Sequence, residues 1–496
     1  MSTISRQTSA GIIYSYLGLT IGFVNLLVLQ TKLLSTEQIG LLTFLITQSQ
    51  TLSMLSLLGF NGTGFFFPLL REDKTQRMSY LLLACLVAGT GFIFFSSLVY
   101  AFQNKVFEFP SQSVLLKKFF LYVYPLTFFT LFFNVFELYK QLNYDIASPR
   151  IYRELYKRVF TLFVNLLLLF KSFRFSNFML LWLLANILPT FQLIYSVLKS
   201  EWPLPKTFSF YKGLKGMLST SFFAFLAGTA PLLSQTILLY VVTRNFGLSN
   251  AGIYGVALTI VNILILPNRS LSSIAYPVIV DAWKNKKLTT LRNIYTKSSH
   301  TLFLIAALFF TLIWANITTI IKMLGHSYAV GQQTILFLVL GYVINSFGGV
   351  NGAIIIGSRY YKFDSLLQAA LSLLMIPFYN LSGILWGLKG PAITVCINYV
   401  LLNICRYFFI GLCFKIWPYS RQTLLLILLL ISVFTVISLI PTYSNPFINS
   451  VIRSTIILFC YSLILSNLSI ISDLRHVIFQ TPARIKALLT NIFSTD

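Results

Sequence analysis

Fourteen apolar stretches, each of about 20 residues, follow one another along this 496-residue chain. Hydrophobic residues make up 56% of the sequence and charged residues only 10%, a balance that water-soluble folds of this length do not have. Because about 20 apolar residues in a helix cross a bilayer, each stretch predicts one membrane span. The predicted spans are 10–31, 39–60, 79–102, 115–138, 152–171, 178–198, 214–241, 250–275, 299–321, 331–356, 364–381, 387–411, 422–440 and 451–471. The sequence therefore predicts an all-α polytopic membrane protein.

The basic residues predict the orientation of these spans. The chain has 37 Lys and Arg against 12 Asp and Glu, a net charge of +25. If the N-terminus is cytoplasmic, 26 of the basic residues lie on the cytoplasmic side, 10 lie on the other side, and Arg269 lies within a span. This bias predicts a multi-pass protein of the inner (cytoplasmic) membrane with both termini in the cytoplasm. Basic clusters between spans favour anionic lipid head groups or an anionic substrate as partners, and they do not favour nucleic acid.

A weak internal repeat suggests how the spans are organised. Residues 35–74 resemble residues 248–287, at an offset of about 210 residues or six spans. Parallel repeats of six spans place a substrate site between two lobes near the middle of the membrane. We therefore expect an N-terminal lobe at 1–205 and a C-terminal lobe at 206–412. Residues 413–496 would hold the last two spans and an interfacial amphipathic tail.

The eighth predicted span carries a charge in its middle. Arg269 lies between Pro267 and Pro277, and a mid-membrane arginine costs about 2.5–3.5 kcal/mol, so it rarely faces lipid. Pro267 also frees a backbone carbonyl, which a water-filled cavity can satisfy. The polar side chains predicted to share the helical face of Arg269 are Asn262, Ser272, Ser273 and Tyr276. These features favour one wall of a water-filled, cationic chamber, and the alternative is an arginine paired with a carboxylate for structural reasons.

Polar side chains on other spans are further candidates for cavity residues. Asn25, Gln50, Gln235 and Asn345 all lie within apolar spans and fit a lobe interface. Asn25 follows a line of small residues, so close helix packing is its competing role. Asn345 precedes a glycine-rich segment at 348–352 that predicts a broken tenth helix, which a membrane tolerates where the break is buried or wet.

Acidic residues are few. Glu137 ends the fourth span, where coupling to an ion and anchoring by Lys140 are the two open roles. Asp281 and Asp364 lie at cytoplasmic span ends and are expected to be solvated. The shortage of buried carboxylates argues against a cation channel or a polyspecific cation exporter. The five cysteines lie in apolar runs and the three histidines far apart, so the sequence predicts no disulfide, metal site or cofactor.

Two equivalent spans begin in the same way, with Gln38-Ile39-Gly40-Leu41 and Ala251-Gly252-Ile253-Tyr254. The eighth span then runs through Leu266-Pro267 to Tyr276-Pro277 before a basic loop. With spans arranged six, six and two and with cytoplasmic ends, the chain resembles polysaccharide-biosynthesis transporters of the MOP superfamily, close to the Wzx-type O-antigen flippases. The resemblance covers residues 1–412 by motif and the last two spans by number only.

The resemblance implies a flippase and not an enzyme. Such a protein would carry an undecaprenyl-diphosphate-linked oligosaccharide, an O-antigen unit of lipopolysaccharide or another surface polysaccharide unit, to the outer leaflet by alternating access of two lobes. Arg269 would neutralise the diphosphate, and amide side chains would contact the sugars. Membrane lipids, glycosyltransferases and a polysaccharide polymerase would be its partners. Relatives are driven by proton or sodium gradients, yet no acidic residue lies clearly in mid-span here.

Three other functions compete with this interpretation. A lipid II flippase of the same superfamily usually carries arginines in its first spans, whereas the first two spans here are neutral. A MATE-type multidrug exporter would have twelve spans and buried acids. A membrane glycosyltransferase or polymerase needs catalytic carboxylates, and the predicted outer loops contain only Glu37 and Glu108.

Overall fold

Helices account for every regular element in the part of the chain that the structure describes. The computed structural model describes residues 14, 17–70, 72–107, 113–145, 147–170, 174–203, 214–419, 421–439 and 445–467. The predicted amphipathic tail after Asp473 and the predicted lobe boundary at 205 lie outside these residues.

Helices occupy the positions of all fourteen predicted spans. They are α1 (Leu17–Leu33), α2 (Thr36–Ser56), α3 (Lys74–Phe107), α4 (Val114–Leu142), α5 (147–167), α6 (Phe175–Ser200), α7 (Leu214–Phe246), α8 (Leu248–Lys284), α9 (Leu288–Ala315), α10 (Gln332–Phe347), α11 (Tyr361–Trp386), α12 (Gly390–Phe414), α13 (Arg421–Leu439) and α14 (Pro446–Asn467). Seven helical stretches are long and apolar enough to cross a bilayer, and the bent α8 makes an eighth, by length and composition alone. The predicted all-α polytopic membrane fold is confirmed.

The largest apolar core contains side chains from both halves of the helix set. Leu41 of α2, Val261 of α8 and Val339 of α10 are all buried in it. Leu426 of α13 belongs to the same core, so this helix packs on the others. The division into two six-helix lobes stays a prediction.

Two glycines bring α2 and α8 into close contact at their N-terminal ends. A Cβ atom on Gly40 would strike the backbone of Leu248 and Gly252, and a Cβ atom on Gly252 would strike the backbone of Thr36 and Gly40. The Thr36 and Ser249 hydroxyl groups lie 2.5 Å apart beside this contact. The two glycines are the equivalent residues of the sequence repeat, so the two copies of the repeat meet where their helices begin.

Helix α8 bends by 45° between its segments Leu248–Asn262 and Leu264–Lys284. Pro267 lacks a backbone N–H group and cannot bond the carbonyl of residue 263, four residues earlier. The bend therefore coincides with the backbone carbonyl that the sequence predicts to be freed by Pro267.

Helix α10 is followed by a break and a short helix. Its last residue is Phe347, three residues follow in turns, and a new helix covers Asn351–Ile356. Gly349 has φ +58°, a left-handed conformation that glycine adopts at low cost. The predicted break in the tenth span is confirmed.

Candidate functional site

A cavity of about 580 Å³ lies among α2, α4, α5 and α6 and reaches one residue each of α7 and α8. We call it the N-terminal cavity. Its charged and amide lining residues are Gln50, Asn61, Asn134, Glu137, Gln141, Arg153, Glu154, Lys157, Arg158, Asn186 and Arg269. Of the predicted site residues, Gln50, Glu137 and Arg269 are brought together here.

A π-helical segment, Ile151–Tyr156, lies within helix α5 and places the charges of this helix on one side. A π-turn closes its hydrogen bonds over five residues instead of four, so residues four and five apart share a face. Arg153 therefore lies above Lys157 and Arg158, and all three line the cavity. Such turns occur frequently at functional sites.

Both carboxylates of the N-terminal cavity are paired with arginines. Arg153 Nη2 lies 2.8 Å from Glu137 Oε2, and it also donates to Asn134 Oδ1 at 2.6 Å. Arg158 Nη2 lies 2.6 Å from Glu154 Oε2, one helical turn away on the same helix. These side chains keep between 15% and 38% of their surface exposed, so the pairs are in contact with the cavity space.

The other two cations of the N-terminal cavity are not paired in this way. Among the described residues, no carboxylate lies within ion-pair distance of Arg269 or Lys157. Four basic and two acidic lining residues give the cavity a net formal charge of +2. The unpaired Arg269 and Lys157 carry this surplus, so the cavity attracts anions.

A second cavity of about 520 Å³ lies on α8, on the end of α10 and on α12. We call it the C-terminal cavity. Its polar lining residues are Asn268, Ser272, Tyr276, Asn345, Asn351 and Arg406. The predicted residues Tyr276 and Asn345 therefore lie here and not beside Arg269. Residues 268, 272 and 276 form one stripe along α8, because residues four apart lie on one helical face.

The arginine of the C-terminal cavity is held by a buried carboxylate. Arg406 donates to both oxygens of Asp364, from Nε at 2.7 Å and from Nη2 at 3.0 Å. The Asp364 side chain is 0% exposed. The expectation that Asp364 is solvated is wrong: α11 begins only three residues earlier, but the side chain points at Arg406 inside the helix bundle. Asp281 is exposed, as expected.

Solved structures share this arrangement of helices. A lipid II flippase MurJ in an inward closed conformation matches with a TM-score of 0.70 and 16% identity, over 94% of this chain and 99% of that one. An inward-facing multidrug resistance MATE family transporter of the MOP superfamily matches with a TM-score of 0.64 and 14% identity, over 84% and 95%. The protein shares the fold of these structures, which we call the MOP fold. A MOP superfamily transporter from Pyrococcus furiosus matches with a TM-score of 0.59 and 14% identity, over 84% and 96%.

At the level of sequence, no family model matches the chain, and no curated protein matches it significantly. The MOP fold is therefore established by the shape of the chain. It makes the protein a multi-pass membrane protein whose structural neighbours are transporters and flippases.

In this MOP fold, Asn25 lies between α1 and α5 instead of in a cavity lining. It donates to the Arg158 carbonyl at 2.9 Å and accepts from Asn165 at 3.1 Å, and Gln30 donates to Asn165 at 3.2 Å. Asn25 is 5% exposed. Its contacts fit the packing role, and they fix the backbone of the helix that carries the cavity charges.

Two further predicted residues, one on α8 and one on α7, line neither cavity. Asn262 is exposed at the bend of α8 and lines neither cavity. Gln235 is half-buried on α7, next to Thr236, whose hydroxyl group contacts that of Thr51 on α2. The side chain of Ser273 lies outside the described residues.

The predicted anchor between Glu137 and Lys140 is wrong. Glu137 pairs with Arg153, while Lys140 pairs with Asp145 at 3.2 Å. The chain turns back after α4 through Tyr144, at φ +66°, and the Asp145 N–H group bonds the Lys140 carbonyl. This turn supplies Lys140 with the carboxylate of Asp145.

Sequence reasoning missed Arg153, Lys157 and Arg158 as cavity residues and assigned them to the cytoplasmic surface. The signal was present, because the fifth predicted span begins at residue 152 and so contains all three charges. Arg406 likewise falls inside the twelfth predicted span, at 387–411. Among the described residues, no three His, Cys, Asp or Glu side chains are placed to hold a metal ion.

Proposed function

We propose that the protein is a flippase that moves an undecaprenyl-diphosphate-linked oligosaccharide, such as an O-antigen or another surface polysaccharide unit, across the cytoplasmic membrane. The observation that carries this proposal is the pair of cations, Arg269 and Lys157, without carboxylate partners in the N-terminal cavity. A diphosphate diester bears one negative charge on each phosphate, which matches the net charge of +2. Bonds from a guanidinium to phosphate are short, strong and often bidentate.

A polar head group needs such a cavity to cross the membrane. Its charges and hydroxyl groups would lose their hydration in hydrocarbon, and desolvating an unpaired ion costs many kcal/mol. In the N-terminal cavity, arginine and lysine replace water around the phosphates, and Gln50 and Asn186 supply uncharged donors and acceptors. The lipid tail can stay in the bilayer while the head group occupies the cavity.

The close contact of α2 with α8 supports transport by alternating access. In the predicted topology, Gly40 and Gly252 lie at the outer ends of their helices, and both cavities lie in the cytoplasmic halves. The outer ends are then closed together while the cavities accept cargo from the cytoplasm. Separation of the two helix ends would open the opposite side.

A multidrug exporter for organic cations fits the N-terminal cavity poorly. Both of its carboxylates are occupied by arginines, so a cationic drug would meet a surplus of positive charge. A drug-susceptibility panel tests this alternative. The coupling-ion role of Glu137 stays a prediction, and its pairing with Arg153 competes with it.

A lipid II flippase is the second candidate. The MurJ structure aligns with 94% of this chain, whereas the MATE structures align with 83–84%, so the MurJ match includes more of the chain. Lipid II also carries a lipid diphosphate, so the N-terminal cavity suits either cargo. Rescue of a strain depleted of its lipid II flippase would favour lipid II over a surface-polysaccharide unit as the cargo.

For the first function, the partners we propose are the glycosyltransferases that build the polysaccharide unit and the polymerase that consumes it.

The decisive variant is Arg269→Ala. A hydrogen bond to a charged group contributes about 1.5–3 kcal/mol, so we expect export of surface polysaccharide to fall by about tenfold or more. Arg269→Lys keeps the charge and should retain part of the export. Arg292→Ala removes an exposed arginine on α9 and serves as the control.

Membrane levels of all three variants are compared by immunoblotting, and surface polysaccharide is measured by gel electrophoresis. Normal export by Arg269→Ala at normal membrane levels would overturn the proposal.

A further inference from the structure

We propose that the C-terminal cavity is a subsite for the uncharged sugars of the cargo, separate from the site of its diphosphate. This inference rests on the proposed function. It assigns the two cavities on either side of α8 to two chemical parts of one substrate. The N-terminal cavity holds the anionic part, and the C-terminal cavity holds the first sugars of the glycan.

The side chains of the C-terminal cavity suit neutral, hydroxyl-rich ligands. Asn268, Ser272 and Asn345 offer uncharged donors and acceptors. Tyr276, with 41% of its surface exposed, adds an aromatic ring and a hydroxyl group. Sugars need this mixture, because each hydroxyl group both donates and accepts hydrogen bonds.

The charge of the C-terminal cavity is internally compensated. Both carboxylate oxygens of Asp364 accept from Arg406, so this guanidinium keeps little capacity for an additional anion. Its side chain is only 11% exposed. A phosphate group is therefore attracted to Arg269 and Lys157, and an uncharged sugar loses nothing by binding beside Arg406.

Consecutive residues of α8 line the two cavities. Asn268 lines the C-terminal cavity and Arg269 lines the N-terminal cavity. At a rise of 1.5 Å per residue, the stripe from Asn268 to Tyr276 extends about 12 Å along α8. A glycan attached to a diphosphate at Arg269 can follow this stripe from its first sugar onwards.

Several groups in the C-terminal cavity are already held in place. Asn351 donates to Asn403 at 2.8 Å and accepts from Arg406 at 3.3 Å. Ser272 donates to Asn268 Oδ1 at 3.2 Å, which leaves the Asn268 amide nitrogen as a donor. The break after α10 places Asn345 beside this fixed set. A rigid polar surface binds a flexible glycan at a lower entropic cost.

Photo-crosslinking in the native host tests this assignment. The photoreactive residue p-benzoylphenylalanine replaces Tyr276 in one strain, Gln50 in a second and Ile384, a 72% exposed residue of α11, in a third. Mass spectrometry of the adducts identifies what each position captures. We expect adducts of the lipid-linked glycan at positions 276 and 50, joined through a sugar at position 276, and adducts of membrane lipid alone at position 384.

Two other results separate the failures. Capture of lipid-linked glycan at position 50 with only membrane lipid at position 276 would overturn the sugar subsite and leave the flippase function intact. Absence of lipid-linked glycan at both positions would overturn the flippase function, and the subsite with it.

A binding measurement with two probes gives the size of the effect. The probes are undecaprenyl diphosphate, which has no sugar, and lipid-linked oligosaccharide extracted from the native host. We expect Asn345→Ala and Tyr276→Ala each to weaken binding of the glycan-bearing probe by about tenfold and to leave the sugar-free probe unchanged within about twofold. Arg269→Ala should weaken both probes. The Ile384→Ala control should change neither.

The subsite is overturned if the wild-type protein binds both probes with equal affinity, or if the two cavity variants weaken both probes equally. If the wild-type protein binds neither probe, the proposed function itself fails.

Discussion

Beside each of the two cavities, one arginine–carboxylate pair lies next to a glycine, and these two pairs differ in burial. In the N-terminal cavity, the Arg158 and Glu154 side chains are 28% and 26% exposed. In the C-terminal cavity, the Arg406 and Asp364 side chains are 11% and 0% exposed. The first pair is wet and held by one contact of 2.6 Å, whereas the second is dry and bidentate.

This difference shows how burial decides what an ion pair can do. An exposed pair contributes about 0–1 kcal/mol to stability, so its members can exchange partners when an anionic head group arrives. A buried pair cannot lose one member without leaving an uncompensated charge, which costs about 3–5 kcal/mol. The N-terminal cavity therefore offers charges to a ligand, and the C-terminal cavity uses its charges to maintain a neutral surface.

The largest effect should follow from Asp364→Ala, which leaves the Arg406 guanidinium buried without its carboxylate. We expect the free energy of unfolding to fall by about 3–5 kcal/mol. Denaturant unfolding of the purified protein in mixed micelles measures this loss. The double variant Asp364→Leu with Arg406→Met removes both charges and should lie close to wild type. Equal losses in the single and double variants would mean that the pair matters only for shape.

Much of the fold could be predicted from the sequence, because the membrane imposes strong constraints. Span length, apolar composition and the glycine-rich segment at 348–352 predicted the helices and the break after α10, and Pro267 predicted the freed carbonyl at which α8 bends. These features depend on local backbone chemistry. They require no knowledge of which helices are neighbours.

The charges of the site were harder to predict, because their partners lie far away in the sequence. Asp364 was expected to be solvated from its place at a span end, yet Arg406, 42 residues later, buries it. Tyr276 lies seven residues after Arg269 and was expected on the same face, yet the two line different cavities. Because α8 has a cavity on each of two sides, residues that were predicted to share one face line different cavities.

Alanine substitutions at the two glycines that contact Arg406 and Arg158 should change the free energy of unfolding by different, intermediate amounts. A Cβ atom on Gly352 would lie 3.1 Å from Arg406 Cζ, and a Cβ atom on Gly22 would lie 2.8 Å from Arg158 Nη1. Arg406 cannot move without losing Asp364, so we expect Gly352→Ala to cost about 1–3 kcal/mol through overpacking. Arg158 can swing into the cavity, and alanine in a helix gains about 0.5–1 kcal/mol over glycine, so Gly22→Ala should be nearly neutral.

Both glycine variants are compared in the same unfolding assay. If Gly22→Ala lost as much stability as Gly352→Ala, Arg158 would be as fixed as Arg406. The proposed difference between the ion pairs of the two cavities would then be wrong.

The smallest effect on stability should come from Glu154→Gln, the counterpart of the Asp364 variant in the N-terminal cavity. The exposed pair contributes about 0–1 kcal/mol, so the free energy of unfolding should change by no more than that.

Removal of the Glu154 carboxylate frees Arg158 and raises the cavity charge from +2 to +3. Undecaprenyl diphosphate should then bind more tightly, with an affinity that falls more steeply as salt is added, because screening weakens attraction between exposed charges. Titrations at low and physiological salt measure this change, with Asp145→Asn, on a 26% exposed carboxylate paired with Lys140 outside the cavity, as the control. A stability loss as large as that of the Asp364 variant, with no gain in affinity, would show that both cavities use their ion pairs for structure alone.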